Sequence, residues 1–206
     1  MAHLNILRNY TTYFVDLDGT LIDSEKSIRY SFQIALDKLN ITPLIRVSRL
    51  KIGPPLYDNL TDLIGRNCPE KLDLLGKTFI QTYDHSGWNQ FAIYENLIEH
   101  LKIESGRGKR LVLLTNKRTI PTMKIIGKMS MKDVFNEIYC VDSFQEVVKS
   151  KEILLKLILS NGHSQYRNSL LIGDTDSDLN AARSSNMDFM LFEKGVPKLH
   201  YKFNLD

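Results

Sequence analysis

Runs of consecutive apolar residues, separated by segments with helical spacing, constrain the fold of this chain most strongly. The clearest runs are "YFV" at 13–15, "LVLL" at 111–114, "LLI" at 170–172 and "FMLF" at 189–192. Their apolar residues follow one another instead of alternating with polar ones, as is typical of strands buried on both faces of a sheet. Strands that alternate with helices predict an α/β fold with a parallel sheet and helices on both faces.

The segments around these runs predict the helices and the domain organisation. Ser24 is a candidate N-cap for a first helix, and further helices are predicted at 69–83, 95–102, 120–128, 151–159 and 179–183. Residues 23–91 yield only helices and a break at Gly53-Pro54-Pro55. We therefore predict an α/β core of residues 1–22 and 92–206, with a small all-helical domain, residues 23–91, inserted after the first strand.

Composition narrows the class of protein. The chain is 43% hydrophobic and 25% charged with a net charge of +3, as expected of a soluble globular protein. Its densest basic group, "GRGKR" at 106–110, is too short to predict a nucleic-acid interface. No signal-like segment is visible, and no apolar run approaches the ~18 residues of a membrane span. Cys68 and Cys140 are expected to be reduced thiols of a cytoplasmic protein. The protein is expected to be a monomer or a homodimer.

Polar side chains follow three of the predicted strands, and a lysine precedes the helix that leads into one of them. Because the carboxyl ends of parallel strands share one edge of a sheet, neighbouring strands would bring these groups together. The residues are Asp16, Asp18, Thr115, Asp174, Asp178 and either Lys149 or Lys151.

A calcium loop is one alternative explanation for the acidic stretch "GDTDSD". Such a loop also begins with acidic residues at alternate positions, but it requires glycine sixth and glutamate twelfth. Counted from Asp174, those positions hold Leu179 and Ser185. The stretch therefore fits a calcium loop poorly.

Converging carboxylates need a cation, and a site of hard oxygen ligands open to substrate suits magnesium, which often bridges to phosphate. A carboxylate beside Mg²⁺ and a lysine can approach a phosphoryl group, attack phosphorus and form an aspartyl-phosphate. A second carboxyl group two residues further on can protonate the leaving oxygen and later deprotonate a water.

These residues also carry a family resemblance that covers nearly the whole chain. "DLDGT" at 16–20, "LLTN" at 113–116, the lysine near 149 and "GDTDSD" at 173–178 resemble the four ordered motifs of the haloacid-dehalogenase-like phosphatases. The helical insertion resembles that superfamily's first type of cap domain, and "KIGPPL" resembles the cap loop of its phosphoglycolate-phosphatase-like branch. The resemblance implies a Rossmann-like core beneath a helical cap.

The resemblance implies a role for each motif residue. Asp16 would be the nucleophile and a magnesium ligand, and Asp18 the general acid and base, with its backbone carbonyl also on the metal. Thr115, with the amide of Asn116, would hold the phosphoryl oxygens. Without the other motifs, Asp16 and Asp18 could be simple turn carboxylates, and Thr115 a helix cap.

The last two motifs would supply a cation and further metal ligands. Asp174 would bind magnesium, and Asp178 would bind it more remotely or orient a ligand water, unless Asp178 only stabilises a helix N-terminus. The family commonly has a Lys-Pro pair at the lysine, whereas this chain has "VVKSKEILLKLI" without proline. Because Ser150 is a plausible N-cap, we expect Lys149 to point at the strand ends and Lys151 to be solvated.

Candidate substrate contacts lie in two loops. Lys117 follows Thr115 and could contact substrate or be a solvated loop residue. Arg49 and Lys51 flank the break that begins at Gly53, and they could bind an anionic substrate tail or only solvate a helix end.

These features together predict a magnesium-dependent phosphatase that hydrolyses a small phosphorylated metabolite, a phosphomonoester, through an aspartyl-phosphate. One alternative is a phosphomutase acting on a sugar phosphate, which would return the phosphoryl group to substrate. Another is a non-catalytic binding protein with the same fold, which the presence of every motif carboxylate disfavours.

Overall fold

The computed structural model describes residues 9–53, 55–145, 147–161, 166 and 168–203. The described residues fall into two compact units, one within Met1–Asp23 and Ile93–Asp206 and the other within Ser24–Ala92. Each unit contains its own cluster of buried apolar side chains.

The described residues form the following helices and strands. The helices are α1 (Glu25–Lys38), α2 (Leu56–Ile64), α3 (Pro69–His85), α4 (Glu95–Gly106), α5 (Thr119–Lys128), α6 (Lys151–Asn161) and α7 (Asp176–Ser184). The strands are β1 (Thr12–Val15), β2 (Ile22–Asp23), β3 (Ala92–Ile93), β4 (Arg110–Thr115), β5 (Glu137–Cys140), β6 (Ser169–Gly173), β7 (Asp188–Glu193) and β8 (Val196–Tyr201).

The α/β unit contains a six-stranded sheet with the order β5-β4-β1-β6-β7-β8. Every neighbouring pair is parallel except β7 and β8, which are antiparallel. The central strand β1 has β4 on one side and β6 on the other, so the chain crosses from one half of the sheet to the other around β1. This is the position at which open α/β sheets bind ligands, beyond the carboxyl ends of the strands.

Continuous apolar strands are explained by burial on both faces of this sheet. Phe14, Val112 and Leu171 pack in one cluster with side chains from α6 and α7. Successive side chains of a strand point to opposite faces, yet the neighbours Tyr13 and Leu113 are also fully buried. The prediction of an α/β fold with a mostly parallel sheet flanked by helices is therefore confirmed.

The helical unit is built from α1, α2 and α3 around a separate apolar core that includes Phe32, Leu63 and Leu75. Pro69 begins α3 at a position where its missing N–H costs no helical hydrogen bond. The guanidinium of Arg29 donates to the carbonyl oxygens of Val47 and Leu50. These hydrogen bonds attach residues 47–50, which precede Lys51, to helix α1.

Several element boundaries differ from the sequence-based expectation. Helix α7 begins at Asp176 and not at residue 179, and α4 ends at Gly106 and not at residue 102. Helix α2 and the antiparallel strand β8 were not predicted. Pro54, part of the predicted break, lies outside the described residues. Within the described part of the chain, none of the helices combines the length and the apolar character needed to cross a membrane.

Candidate active site

The carboxyl ends of β1, β4 and β6 lie side by side and carry the motif residues. Val15 is in register with Leu113 of β4 and with Ile172 of β6. The backbone N–H of Asp16 donates to the carbonyl oxygen of Ile172 at 2.9 Å, so the first motif residue continues the pairing beyond β1. The polar residues that follow these three strands therefore meet at one edge of the sheet.

A buried ion-pair network connects the first, third and fourth motifs. Nζ of Lys151, at the start of α6, donates to Oδ1 of Asp16 at 2.5 Å and also to Oδ1 of Asp178. The side chains of Lys151, Asp16 and Asp178 are 3%, 7% and 0% exposed. Because water is excluded from these groups, their positions are set by one another and by the strands and helices that carry them.

Oxygen atoms of Asp16, Asp174 and Asp178 all lie within 4.8 Å of one another. The carboxylates of Asp174 and Asp178 each accept a hydrogen bond from a threonine hydroxyl group. Oγ1 of Thr20 donates to Oδ1 of Asp174 at 3.2 Å, and Oγ1 of Thr175 donates to Oδ2 of Asp178 at 2.6 Å. The backbone N–H of Thr175 donates to the same oxygen of Asp178 at 3.0 Å, so each carboxylate is fixed before any ligand is bound.

Charge in the cluster is unbalanced. Burial raises the pKa of Asp16 well above its usual range; the Lys151 ammonium opposes this rise, and Asp178 and Asp174 add to it. Burial and the carboxylate of Asp178 raise the pKa of Asp174 to about 6. Burial alone would lower the pKa of Lys151, but Asp16 and Asp178 outweigh it and raise the pKa. One ammonium group therefore does not neutralise three converging carboxylates.

The donor set of this cluster fits a hard divalent cation. Carboxylate oxygens are the ligands preferred by Mg²⁺ and Ca²⁺, and three of them converge here, from the ends of β1 and β6 and from the first turn of α7. Asp176, the remaining acidic residue of the fourth motif, is exposed at the first position of α7 and is not part of the cluster.

The second motif lies beside the first, at the end of β4. Thr115 is buried, and its Oγ1 accepts a hydrogen bond from the backbone N–H of Lys117 at 3.1 Å. Nζ of Lys117 is 3.1 Å from Oδ2 of Asp18. Asn116, between them, is half-buried. Thr115 thus ends β4, and Lys117, in the loop that follows, lies next to Asp18.

The expected placement of the two lysines was wrong. Lys149 is exposed, whereas Lys151 is 2% exposed and carries the ion pairs to Asp16 and Asp178. Ser150 does precede the helix, and its Oγ accepts from the backbone N–H of Ile153 at 3.3 Å. The error concerns which face of α6 is buried: Leu154 and Leu155 point inward together with Lys151.

Asp178 stabilises the N-terminus of α7 and also lies in the acidic cluster, and its role as a metal ligand stays a prediction. Asp178 forms a capping box with Thr175 at the start of α7, and it also accepts from Lys151. Sequence reasoning missed Thr20 and Thr175, although each stands inside a predicted motif next to a ligand candidate. Arg49 and Lys51 are exposed in the helical unit, and Gly53 follows with a positive φ of 113°. Their contact with substrate stays a prediction.

Known proteins resemble this chain over most of its length. It is 28% identical over 184 residues to a phosphoglycolate phosphatase from Psychrobacter arcticus. The alignment covers 84% of this chain and 79% of that protein. It is 25% identical over 178 residues to the pyrophosphatase PpaX of Halalkalibacterium halodurans, covering 85% and 80% of the two chains.

The fold also matches solved structures. A haloacid dehalogenase-like family hydrolase from Streptococcus pneumoniae superimposes with a TM-score of 0.76 at 21% identity, covering 92% of this chain and 88% of that one. The sequence model that describes the haloacid dehalogenase-like hydrolases matches residues 13–192, from the middle of β1 almost to the end of β7. This match includes all four motifs, and the chain belongs to the haloacid dehalogenase-like hydrolase family.

Proposed function

We propose that this protein is a magnesium-dependent phosphatase that hydrolyses a small phosphorylated metabolite through an aspartyl-phosphate on Asp16. The observation that carries the proposal is the buried network at the strand ends, in which Lys151 pairs with Asp16 and Asp178 while Asp174 lies close by. The names of the relatives support a phosphate ester or anhydride as the substrate class.

In the first chemical step, a carboxylate oxygen of Asp16 attacks phosphorus as the bond from phosphorus to the leaving oxygen breaks. Asp18, two residues on, donates a proton to that leaving oxygen. In the second step, Asp18 removes a proton from a water, whose oxygen attacks phosphorus and releases the carboxylate of Asp16. Phosphate and a free hydroxyl compound are the products.

The surrounding residues stabilise charge on the phosphoryl group. The ammonium of Lys151 offsets the negative charge of Asp16, which would otherwise repel a phosphoryl dianion. The hydroxyl of Thr115 already accepts from the N–H of Lys117, so its own proton is available to a phosphoryl oxygen. The backbone amide of Asn116 is the second proposed donor.

Mg²⁺ would be held by Asp16, Asp174 and Asp178, with the backbone carbonyl of Asp18 as a further proposed ligand. When bound, it would supply the positive charge that the three carboxylates and the incoming phosphate require. Thr20 and Thr175 keep Asp174 and Asp178 in place for this role.

We further propose that the helical unit is a cap domain. Its insertion between β2 and β3 corresponds to the first type of cap that the motifs imply. Arg49 and Lys51 are its candidate contacts to an anionic substrate tail.

A phosphate-release assay tests the proposed function. The protein would be incubated with Mg²⁺ and a panel of phosphoglycolate, pyrophosphate, nucleoside monophosphates and sugar phosphates. We expect free phosphate from at least one compound and none after chelation. Isomerised sugar phosphate without free phosphate would instead identify a mutase, and no turnover of any compound would contradict the proposal.

A further inference from the structure

Lys117 forms a partly buried ion pair with Asp18. Its Nζ lies 3.1 Å from Oδ2 of Asp18, and the two side chains are only 8% and 15% exposed. Exposed ion pairs are worth little because water screens them. Most of the surface of this pair is shielded from water, so the contact restrains both side chains more than a surface pair would.

The backbone that carries Lys117 is anchored on both sides. Its own N–H donates to Oγ1 of Thr115 at 3.1 Å. Two residues further on, the N–H and the hydroxyl of Thr119 donate to Oδ1 of Asp142 at 2.8 and 2.7 Å. The loop after β4 is thereby fixed to the end of β4 and to the segment after β5, and Lys117 approaches Asp18 from a defined base.

Strand pairing brings the two partners together. β1 and β4 are parallel neighbours, and Val15 is in register with Leu113. The residues that follow these strands, Asp18 in one loop and Lys117 in the next, therefore lie on adjacent strand ends. The ion pair follows from the topology of the sheet.

We infer that Lys117 is a positioning residue that holds the carboxyl group of Asp18 in place for proton transfer, an inference that rests on the proposed function. A general acid or base must be within hydrogen-bond reach of the atom that it serves, and small displacements are costly. Without Lys117, the Asp18 side chain loses the restraint of this partly buried ion pair. The inferred role of Lys117 is therefore exerted through Asp18 and not through binding of substrate.

This role differs measurably from that of a substrate contact. Loss of a residue that binds substrate raises KM and affects all phosphate esters that share the bound group. Loss of a residue that positions the acid lowers kcat, and most strongly for esters whose leaving oxygen needs protonation. Aryl phosphates with acidic phenols need little protonation, so they are the insensitive members of such a series.

The experiment compares Lys117→Met, Lys117→Arg and the exposed control Lys132→Met in the full chain with Mg²⁺. Substrates are an alkyl phosphate and aryl phosphates of increasing phenol pKa. We expect Lys117→Met to lower kcat by about 10–100-fold on the alkyl phosphate, less than the ~10²–10⁴ of a lost acid–base group. Its effect should shrink steadily as the phenol becomes more acidic. Lys117→Arg, which retains a cation, should keep most of the turnover.

A double variant separates the inference from its rivals. In an Asp18→Asn background, Lys117→Met should cause no further loss, because the group that it positions is already gone. An equal loss in both backgrounds, a rise in KM common to all substrates, or unchanged kinetics would overturn the role of Lys117 while leaving the proposed phosphatase intact. A wild-type protein without turnover of any of these esters would overturn both.

Discussion

Gly19 lies so close to Asp174 that a β-carbon at residue 19 would overlap the carboxylate of Asp174. Gly19 also has a positive φ of 85°, a backbone conformation that residues other than glycine rarely adopt. The first motif therefore needs glycine at residue 19 to leave room for Asp174, a candidate metal ligand of the fourth motif that lies 155 positions further along the chain (174 − 19).

This contact predicts the effect of Gly19→Ala. The new methyl group must displace Asp174 from the acidic cluster, so we expect phosphate release to fall by about 10–100-fold, as for other changes that misplace metal ligands. Gly127→Ala in α5 is the matched control, because nothing lies within 4 Å of its β-carbon and its φ is not positive. Its activity should equal that of the wild type. Wild-type turnover by Gly19→Ala would contradict the account of Asp174.

Lys151→Met should lower both activity and stability. The variant leaves Asp16 and Asp178 buried without their cation, and removal of one partner of a buried pair typically costs about 3–5 kcal/mol. Urea unfolding and phosphate release would measure the two losses. Lys149→Met, at an exposed position two residues away, is the comparison, and we expect it to change neither quantity appreciably. The reverse order of the two variants would restore the original assignment.

The acidic cluster predicts that Mg²⁺ stabilises the protein even without substrate. A ligand that binds only the folded state raises the melting temperature as its concentration increases. Asp174→Asn should abolish most of this rise, since it removes one of three converging carboxylates. Asp176→Asn should retain it, because Asp176 is exposed outside the cluster. An unchanged response in Asp174→Asn would place the cation elsewhere.

The proposed cap contacts predict a change confined to KM. Arg49→Ala and Lys51→Ala should weaken binding of a substrate with an anionic tail, such as phosphoglycolate, while kcat stays near that of the wild type. An aryl phosphate without such a tail should be unaffected. Lys71→Ala, an exposed position in α3, is the control. Equal KM values for both substrates in all variants would remove Arg49 and Lys51 from the site.

Much of the sheet could be predicted because buried parallel strands leave an unambiguous pattern. Arg110–Thr115 and Ser169–Gly173 were expected within a residue of their observed bounds, since their apolar runs end abruptly in polar groups. Strand β8 leaves no such pattern. It contains a proline, and its apolar residues Val196 and Leu199 are 48% and 53% exposed at the edge of the sheet. The sequence of such an edge strand cannot be distinguished from that of a loop.

The lysine of the site could not be assigned from α6 because that helix is apolar on more than one face. Ile153 and Leu157 are apolar, yet they are 47% and 37% exposed. The buried positions are Lys151, Leu154, Leu155 and Ile158, which follow one another at helical spacing. Had that stripe been chosen, Lys151 would have been predicted to point inward. Tertiary packing, and not the local pattern, selects the buried face.

The acidic groups of the site were easier to predict, since their placement follows from strand ends. Asp16, Asp174 and Asp178 were expected together at the carboxyl edge of the sheet, and their oxygens do converge there. Which hydroxyl groups would hold them depends on turns after β1 and β6, and such local geometry has no clear signal in a single sequence.

The central claim is that Asp16 carries the phosphoryl group, and intact-protein mass spectrometry tests it most directly. Asp18→Asn keeps the nucleophile but lacks the group that activates water, so after brief exposure to an aryl phosphate with Mg²⁺ it should carry one phosphate adduct that decays slowly. Asp16→Asn, treated in the same way, should carry none. An adduct on Asp16→Asn would contradict the claim and place the nucleophile at another residue.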